Sequence, residues 1–105
     1  MTIDNYIAKA SMIGLRKGYQ ALDTSARNMN THRSSHFRGV VIYTLYNFRE
    51  LEQARIGRLL SITPKNTRYW LKRINDLISI KDTQTMSVLD ELTDIDTEPC
   101  FAGLG

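Results

Sequence analysis

The sequence predicts an all-α domain of four or five helices that contains a helix-turn-helix at about residues 52–78. Apolar residues in the segment 3–15 recur at the three- and four-residue spacing of an amphipathic helix. The apolar stretch within residues 36–49 continues without turn residues, so its length favours a buried helix over a strand. Thr63 followed by Pro64 is typical of the first residues of a helix, because Thr caps an N-terminus and Pro needs no partner there.

The other elements follow in order along the chain. A first helix is expected over residues 3–15, and the polar stretch 27–36 is typical of a loop that leads into a second helix. A short third helix is expected from Glu52 to Leu60. The fourth helix begins at Pro64 and runs to about Ile78, with its apolar residues on one side.

Length and composition indicate one soluble domain. The chain has 105 residues, and single domains cluster near ~100–150 residues. No apolar run reaches the ~18 residues of a membrane span, and the first residues lack the pattern of a secretory signal. The lone Cys100 fits a reducing compartment, so we expect a cytoplasmic protein.

Charge is divided unevenly along the chain. All 14 basic residues lie in residues 1–81 with five acidic ones, so that segment carries +9. Residues 82–105 hold the other six acidic residues and no basic one, so they carry −6. A compact body of +9 favours a polyanionic partner, and nucleic acid is the commonest such partner of a soluble domain. A solvated surface with an acidic tail is the alternative interpretation of the same charges.

The fourth helix presents the side chains that a DNA-reading helix needs. We expect base contacts from the first turns of this helix, which would enter the major groove N-terminus first: Lys65, Asn66 and Tyr69. We expect contacts to the DNA backbone from a larger set of donors: Arg27, Arg33, Arg38, Arg58, Thr63, Arg68, Lys72 and Arg73. A second interpretation of Asn66 is a helix-start residue that caps the helix or points to solvent.

A set of residues with characteristic spacing crosses the second and third predicted helices. Tyr43 lies five residues after Arg38, and the pair Ile56-Gly57 follows thirteen residues after that Tyr. This stretch resembles the C-terminal DNA-binding domain of the bacterial replication initiator DnaA. The resemblance implies a Trp-repressor-like helix-turn-helix fold and binding of double-stranded DNA. It also places Arg27 and Arg33 where that family has a basic loop that grips the DNA backbone.

The chain departs from the DnaA family at the turn before the fourth helix. The family carries two Gly and then Asp-His there, whereas this chain is one residue shorter and has Thr-Pro-Lys-Asn at residues 63–66. Residues 62–74 fit the helix-turn-helix domains of LuxR-type response regulators equally well. We therefore expect a small transcriptional regulator or a replication-initiator-like accessory protein, for which a homodimer is compatible with the sequence. The initiator's own target sequence is not implied.

The acidic segment 82–105 is expected to be a tail attached to the helical domain of residues 1–81. Its apolar residues have the spacing of a short amphipathic helix with Thr85 as a candidate cap: Met86, Leu89, Leu92 or Thr93, and Ile95. Residues beyond Asp96 are expected to be disordered. The helix could dock on a protein partner through residues 85–96 or fold back across the basic face. A non-catalytic helical adaptor is therefore the alternative function.

Catalytic and metal-binding patterns are weak. His32 and His36 have a helical metal spacing, but no second pair of zinc ligands accompanies them. Asp94, Asp96 and Glu98 alternate like calcium ligands without the Gly and closing Glu of a calcium loop. The serines and the single Cys lack the neighbours of a nucleophile. We expect no enzyme and no cofactor.

Overall fold

Five α-helices build the fold, and the all-α prediction is confirmed. The computed structural model describes residues 2–24 and 32–102, with side chains described as far as residue 95. The helices are α1 (Ile3–Arg16), α2 (His32–Asn47), α3 (Gln53–Leu60), α4 (Pro64–Ser79) and α5 (Thr83–Ala102). Within the described ranges there is no strand, and no helix combines the length and the apolar character that crossing a membrane needs.

Helix α2 is the centre of the core, because it packs against each of the other four helices. Val40, Val41 and Ile42 lie in its middle and are fully buried. These β-branched residues favour strands by intrinsic preference, but burial on all sides of a central helix outweighs that preference. Trp70 of α4 lies against Gly39 of α2, where a larger side chain would overlap the indole ring. The glycine therefore fixes how closely α4 approaches the central helix.

Helix α5 differs from the acidic tail that the sequence predicts. It is 20 residues long, and it packs against α1, α2 and α4. Val88, Leu92 and Ile95 form its inner face and are buried in the same core as α2. The predicted apolar face is therefore confirmed at Leu92 and Ile95, whereas Met86 and Leu89 are only half-buried and Val88, which the prediction omits, is buried. The helix is part of the core and not a separate tail.

A chain of hydrogen bonds joins the start of α5 to α2. The carboxylate of Asp82 caps the helix, accepting from the backbone N–H of Thr85 at 3.0 Å and from its hydroxyl at 2.7 Å. Asp82, and not Thr85, is therefore the cap. The Thr85 oxygen lies 2.8 Å from Nε2 of His36, and since the hydroxyl proton goes to Asp82, Nε2 must be the donor. Nδ1 of His36 is buried and has no hydrogen-bond partner among the described residues.

This arrangement predicts that mild acid destabilises the fold. Burial lowers the pKa of His36 below the usual 6.5; His32 and Arg73 act in the same direction, against the opposing effect of Asp82. Between that lowered pKa and 6.5 the unfolded chain binds more protons than the folded chain. The free energy of unfolding therefore decreases as the pH is lowered through this range. The hydrogen bonds from Thr85 lower the pKa of Asp82 below 3.8, so the stability due to Asp82 is lost only in stronger acid.

Thermal unfolding followed from neutral pH to about pH 5 measures this effect. The melting temperature of the parent chain should fall with pH, and the His36→Gln variant should show a shallower fall. His32→Gln is the matched control, because His32 is the other histidine of the chain and is exposed. An equally steep fall in His36→Gln would show that another group causes the acid response.

Candidate nucleic-acid interface

Helices α3 and α4 are joined by residues 61–63, and local backbone geometry fixes this connection. Ser61 follows the last residue of α3 and adopts the left-handed conformation with φ 58°. The N–H of Ile62 then donates to the carbonyl oxygen of Gly57 at 2.9 Å. A Cβ atom at Gly57 would lie 2.8 Å from the Ile62 carbonyl oxygen, closer than such atoms pack. Glycine is therefore required at residue 57 for the connection to close as it does.

The N-terminus of α4 is capped as the sequence predicts. The Thr63 hydroxyl oxygen accepts from the backbone N–H of Asn66 at 3.1 Å, and Pro64 occupies the first helical turn. Thr67 is buried beneath this cap and donates from its hydroxyl to the Thr63 carbonyl at 3.0 Å. The prediction of a Thr cap before Pro is confirmed, and the cap role considered for Asn66 belongs to Thr63. The Thr63 hydroxyl is exposed and retains its proton for donation to a ligand.

The outward face of α4 is basic and accessible. Lys65, Arg68, Lys72 and Arg73 are exposed, and Tyr69 is 57% exposed. In the described part of the chain, none of the four cations has a carboxylate within ion-pair distance. Asn66, by contrast, is half-buried. The three residues predicted to read bases therefore differ in exposure: Lys65 and Tyr69 are exposed to solvent, whereas Asn66 is only partly exposed.

A groove of about 330 Å³ opens where α4 meets the end of α2 and the start of α3. Its polar and aromatic lining includes Tyr43, Tyr46, Asn47, Gln53, Arg68 and Lys72. The sequence predicts Arg68 and Lys72 at DNA phosphates, but it does not predict that they share a groove with residues of α2. Tyr43 and Tyr46, three residues apart on a helix, were the signal that could have indicated a shared surface.

The other residues predicted at the DNA backbone occupy several parts of the surface. Arg33 is exposed in the first turn of α2, and Arg58 is exposed on α3. Arg73 projects from α4 near the start of α5, since its charge contributes to lowering the pKa values of both His36 and Asp82. Arg27 lies outside the described residues.

The predicted phosphate contact of Arg38 is wrong, because the side chain is only 3% exposed. Its Nη1 atom donates to the carbonyl oxygens of Leu22 and Thr24, which ties the segment after α1 to the central helix. Burial also lowers the pKa of this guanidinium. Arg38 therefore has a structural role inside the fold and cannot reach a ligand at the surface.

One acidic residue of α5 contacts the segment that follows α1. Glu91 forms an ion pair with Lys17, at the end of α1, with 2.9 Å between the charged atoms. The exposed cations of α4 are left uncovered, so the described structure does not have α5 folded across the basic face.

Among the described residues, no group of three or more His, Cys, Asp or Glu side chains is placed to hold a metal ion. His32 is exposed and His36 is buried against α5, so the two histidines do not share one accessible site.

Comparisons with protein-family models, with curated proteins and with solved structures found no match to this chain. The resemblance to the DnaA domain therefore stays a prediction from the sequence. Any functional conclusion has to rest on the surface of α4 and on the residues that surround it.

Proposed function

We propose that the chain binds double-stranded DNA through the outward face of α4. The observation that carries this proposal is the set of four exposed cations on α4, which have no ion-pair partner in the described part of the chain, while the opposite side of the helix packs against α2. Phosphate oxygens are the ligands that such cations meet in DNA complexes. A helix held rigidly from behind can enter the major groove without unfolding, and a short connection to α3 is typical of helices that do so.

The order of residues on α4 supports separate sets of residues for base contacts and for phosphate contacts. Lys65 and Tyr69 lie in its first two turns, where reading helices meet base edges, and Lys can donate to the acceptors of guanine. Arg68 and Arg73 are five residues apart and so project about 140° from each other around the helix axis. Cations on both flanks of a helix in the major groove would meet the phosphates of both strands. We propose this arrangement for a small transcriptional regulator or a replication accessory protein.

The adaptor alternative receives less support from the same structure. A helical adaptor acting through residues 85–96 would need the apolar face of α5 to be available to its partner. Val88, Leu92 and Ile95 instead lie in the core of this chain. No described feature favours a protein partner at α5, so DNA binding is the function that we propose.

Selection of bound fragments from a pool of random duplex DNA tests the proposal. Enrichment of one motif is expected, because several base-contacting side chains should each discriminate by about 1–3 kcal/mol. Recovery of unenriched DNA with weak affinity would contradict sequence reading by α4.

Salt titration of a labelled duplex measures the contribution of the cations. The logarithm of the association constant should fall linearly with the logarithm of salt concentration, with a slope of about −0.9 for each phosphate contact. Arg68→Gln should make this slope shallower by about one unit while leaving the preference among sequences unchanged. Lys17→Gln is the matched control, because Lys17 lies just after α1 and pairs with Glu91. A slope unaffected by Arg68→Gln would remove Arg68 from the interface.

A further inference from the structure

The groove between α2, α3 and α4 combines two kinds of side chain that the duplex-binding proposal does not explain together. Arg68 and Lys72 supply positive charge on one side, and Tyr43 and Tyr46 supply aromatic rings on the other. No carboxylate is among the residues that line it. Positive charge beside aromatic rings is the pattern by which proteins hold unpaired nucleotides, with the backbone at the cations and the base on a ring.

The aromatic rings are available for such stacking. Tyr46 is 40% exposed and Phe48 is 47% exposed, although large aromatic residues are usually more deeply buried in a small domain. The rings of Phe48 and the half-buried Tyr43 pack edge to face, with 6.0 Å between their centroids. Tyr43 is thereby held in place, and Tyr46 remains the accessible ring at the mouth of the groove.

We infer that this groove binds one nucleotide of a single-stranded nucleic acid, with its base stacked on Tyr46 and its phosphate between Arg68 and Lys72. The inference rests on the proposed function in assuming a nucleic-acid partner, but it concerns a different form of that partner. In a duplex the faces of each base are covered by its neighbours, so only an unpaired base can present a face to a tyrosine ring.

Size and hydrogen-bonding capacity agree with a single nucleotide. A volume of about 330 Å³ lies at the lower end of the ~300–1,000 Å³ of small-molecule sites, so the groove offers room for one nucleotide. Asn47 and Gln53 line the groove, and each amide can both donate to and accept from the edge of a base. The same groups can serve any base, so we expect weak sequence preference at this site.

Fluorescence anisotropy with a labelled oligodeoxythymidylate of about ten nucleotides tests the inference. The parent chain should bind the oligomer, and Tyr46→Ala should weaken binding about tenfold, since stacking of one base contributes on that order. Tyr46→Phe keeps the ring and should retain binding. Met12→Ala is the control for an exposed apolar residue on α1, far from the groove in the chain, and should leave binding unchanged. Circular dichroism verifies that each variant is folded.

Two further arms identify the form of the ligand. Oligouridylate tests whether RNA is held as well as DNA, and thymidine monophosphate tests whether a free nucleotide suffices. Binding of either ligand, weakened by Tyr46→Ala, supports the groove as a nucleotide site and shows whether it accepts RNA or a free nucleotide. Oligomer binding that is equal in the parent chain and in Tyr46→Ala would overturn the inference, as would no binding of any of these ligands.

A random-sequence duplex measured with the same proteins separates the two proposals. Tyr46→Ala should leave duplex affinity within about twofold of the parent, because phosphate contacts do not need the ring. If the parent binds duplex and none of the single-stranded or free-nucleotide ligands, the groove inference fails while the proposed function stands. If the parent binds the oligomer through Tyr46 and not duplex, the proposed function fails while the groove inference stands.

Discussion

A chain that ends at Lys81 is expected to lose its cooperative fold, and Leu92→Ala alone is expected to lower the free energy of unfolding by about 3 kcal/mol. Leu92 is fully buried, and Val88 and Ile95 lie beside it in the core shared with α1, α2 and α4. Deleting α5 exposes the apolar surfaces that these residues cover. A domain of this size has only about 5–15 kcal/mol of stability, so the loss of a whole core helix exceeds what it can tolerate.

Urea unfolding followed by circular dichroism distinguishes a core helix from the solvated acidic tail that the sequence predicts for residues 82–105. Ser87→Ala is the matched control, because Ser87 lies on the exposed side of α5, and its midpoint should stay close to that of the parent. A truncated chain with an unchanged midpoint would mean that α5 is not part of the core. If that folded chain also bound DNA more tightly, the acidic segment would act by screening the basic face.

Local patterns predicted much of this fold. The Thr63 cap and Pro64 at the start of α4 depend on residues within one turn, so the sequence alone indicates them. The length argument for α2 was also correct, because an uninterrupted apolar stretch too long for a typical strand favours a buried helix. Apolar spacing identified part of the inner face of α5, namely Leu92 and Ile95, because a helix repeats its faces at a fixed period, but it missed Val88.

Contacts between distant segments could not be predicted in the same way. Arg38 is one of several arginines in a basic segment, and only its position in α2 beside the carbonyls of Leu22 and Thr24 shows that it is buried. The groove likewise depends on the approach of three helices, and Gly39 sets one of these approaches by admitting Trp70. The acidic composition of α5 suggested a solvated tail, because charge is visible in the sequence while the surface that covers its apolar face is not.

Substitutions on α4 are expected to separate base reading from phosphate binding. Lys65→Ala should relax the preference at one position of the selected DNA site, at a cost of about 1–3 kcal/mol in discrimination. Tyr69→Ala should alter the preference at a neighbouring position, since its exposed ring lies one helical turn further along. Lys72→Ala should weaken binding to all sequences alike, because a phosphate contact carries no sequence information directly.

The structure makes Asn66 the most informative position of this helix. Its backbone N–H is bound by Thr63, and its side chain is half-buried on a flank of α4, so a contact with adenine requires the DNA to approach that flank. A relaxed preference at one base position in Asn66→Ala would place that flank inside the major groove. Affinities measured across single-base variants of the selected site provide the test, with Ser79→Ala at the far end of α4 as control. If Lys65→Ala, Asn66→Ala and Tyr69→Ala all leave the preference profile unchanged, the assignment of α4 as the reading helix is wrong.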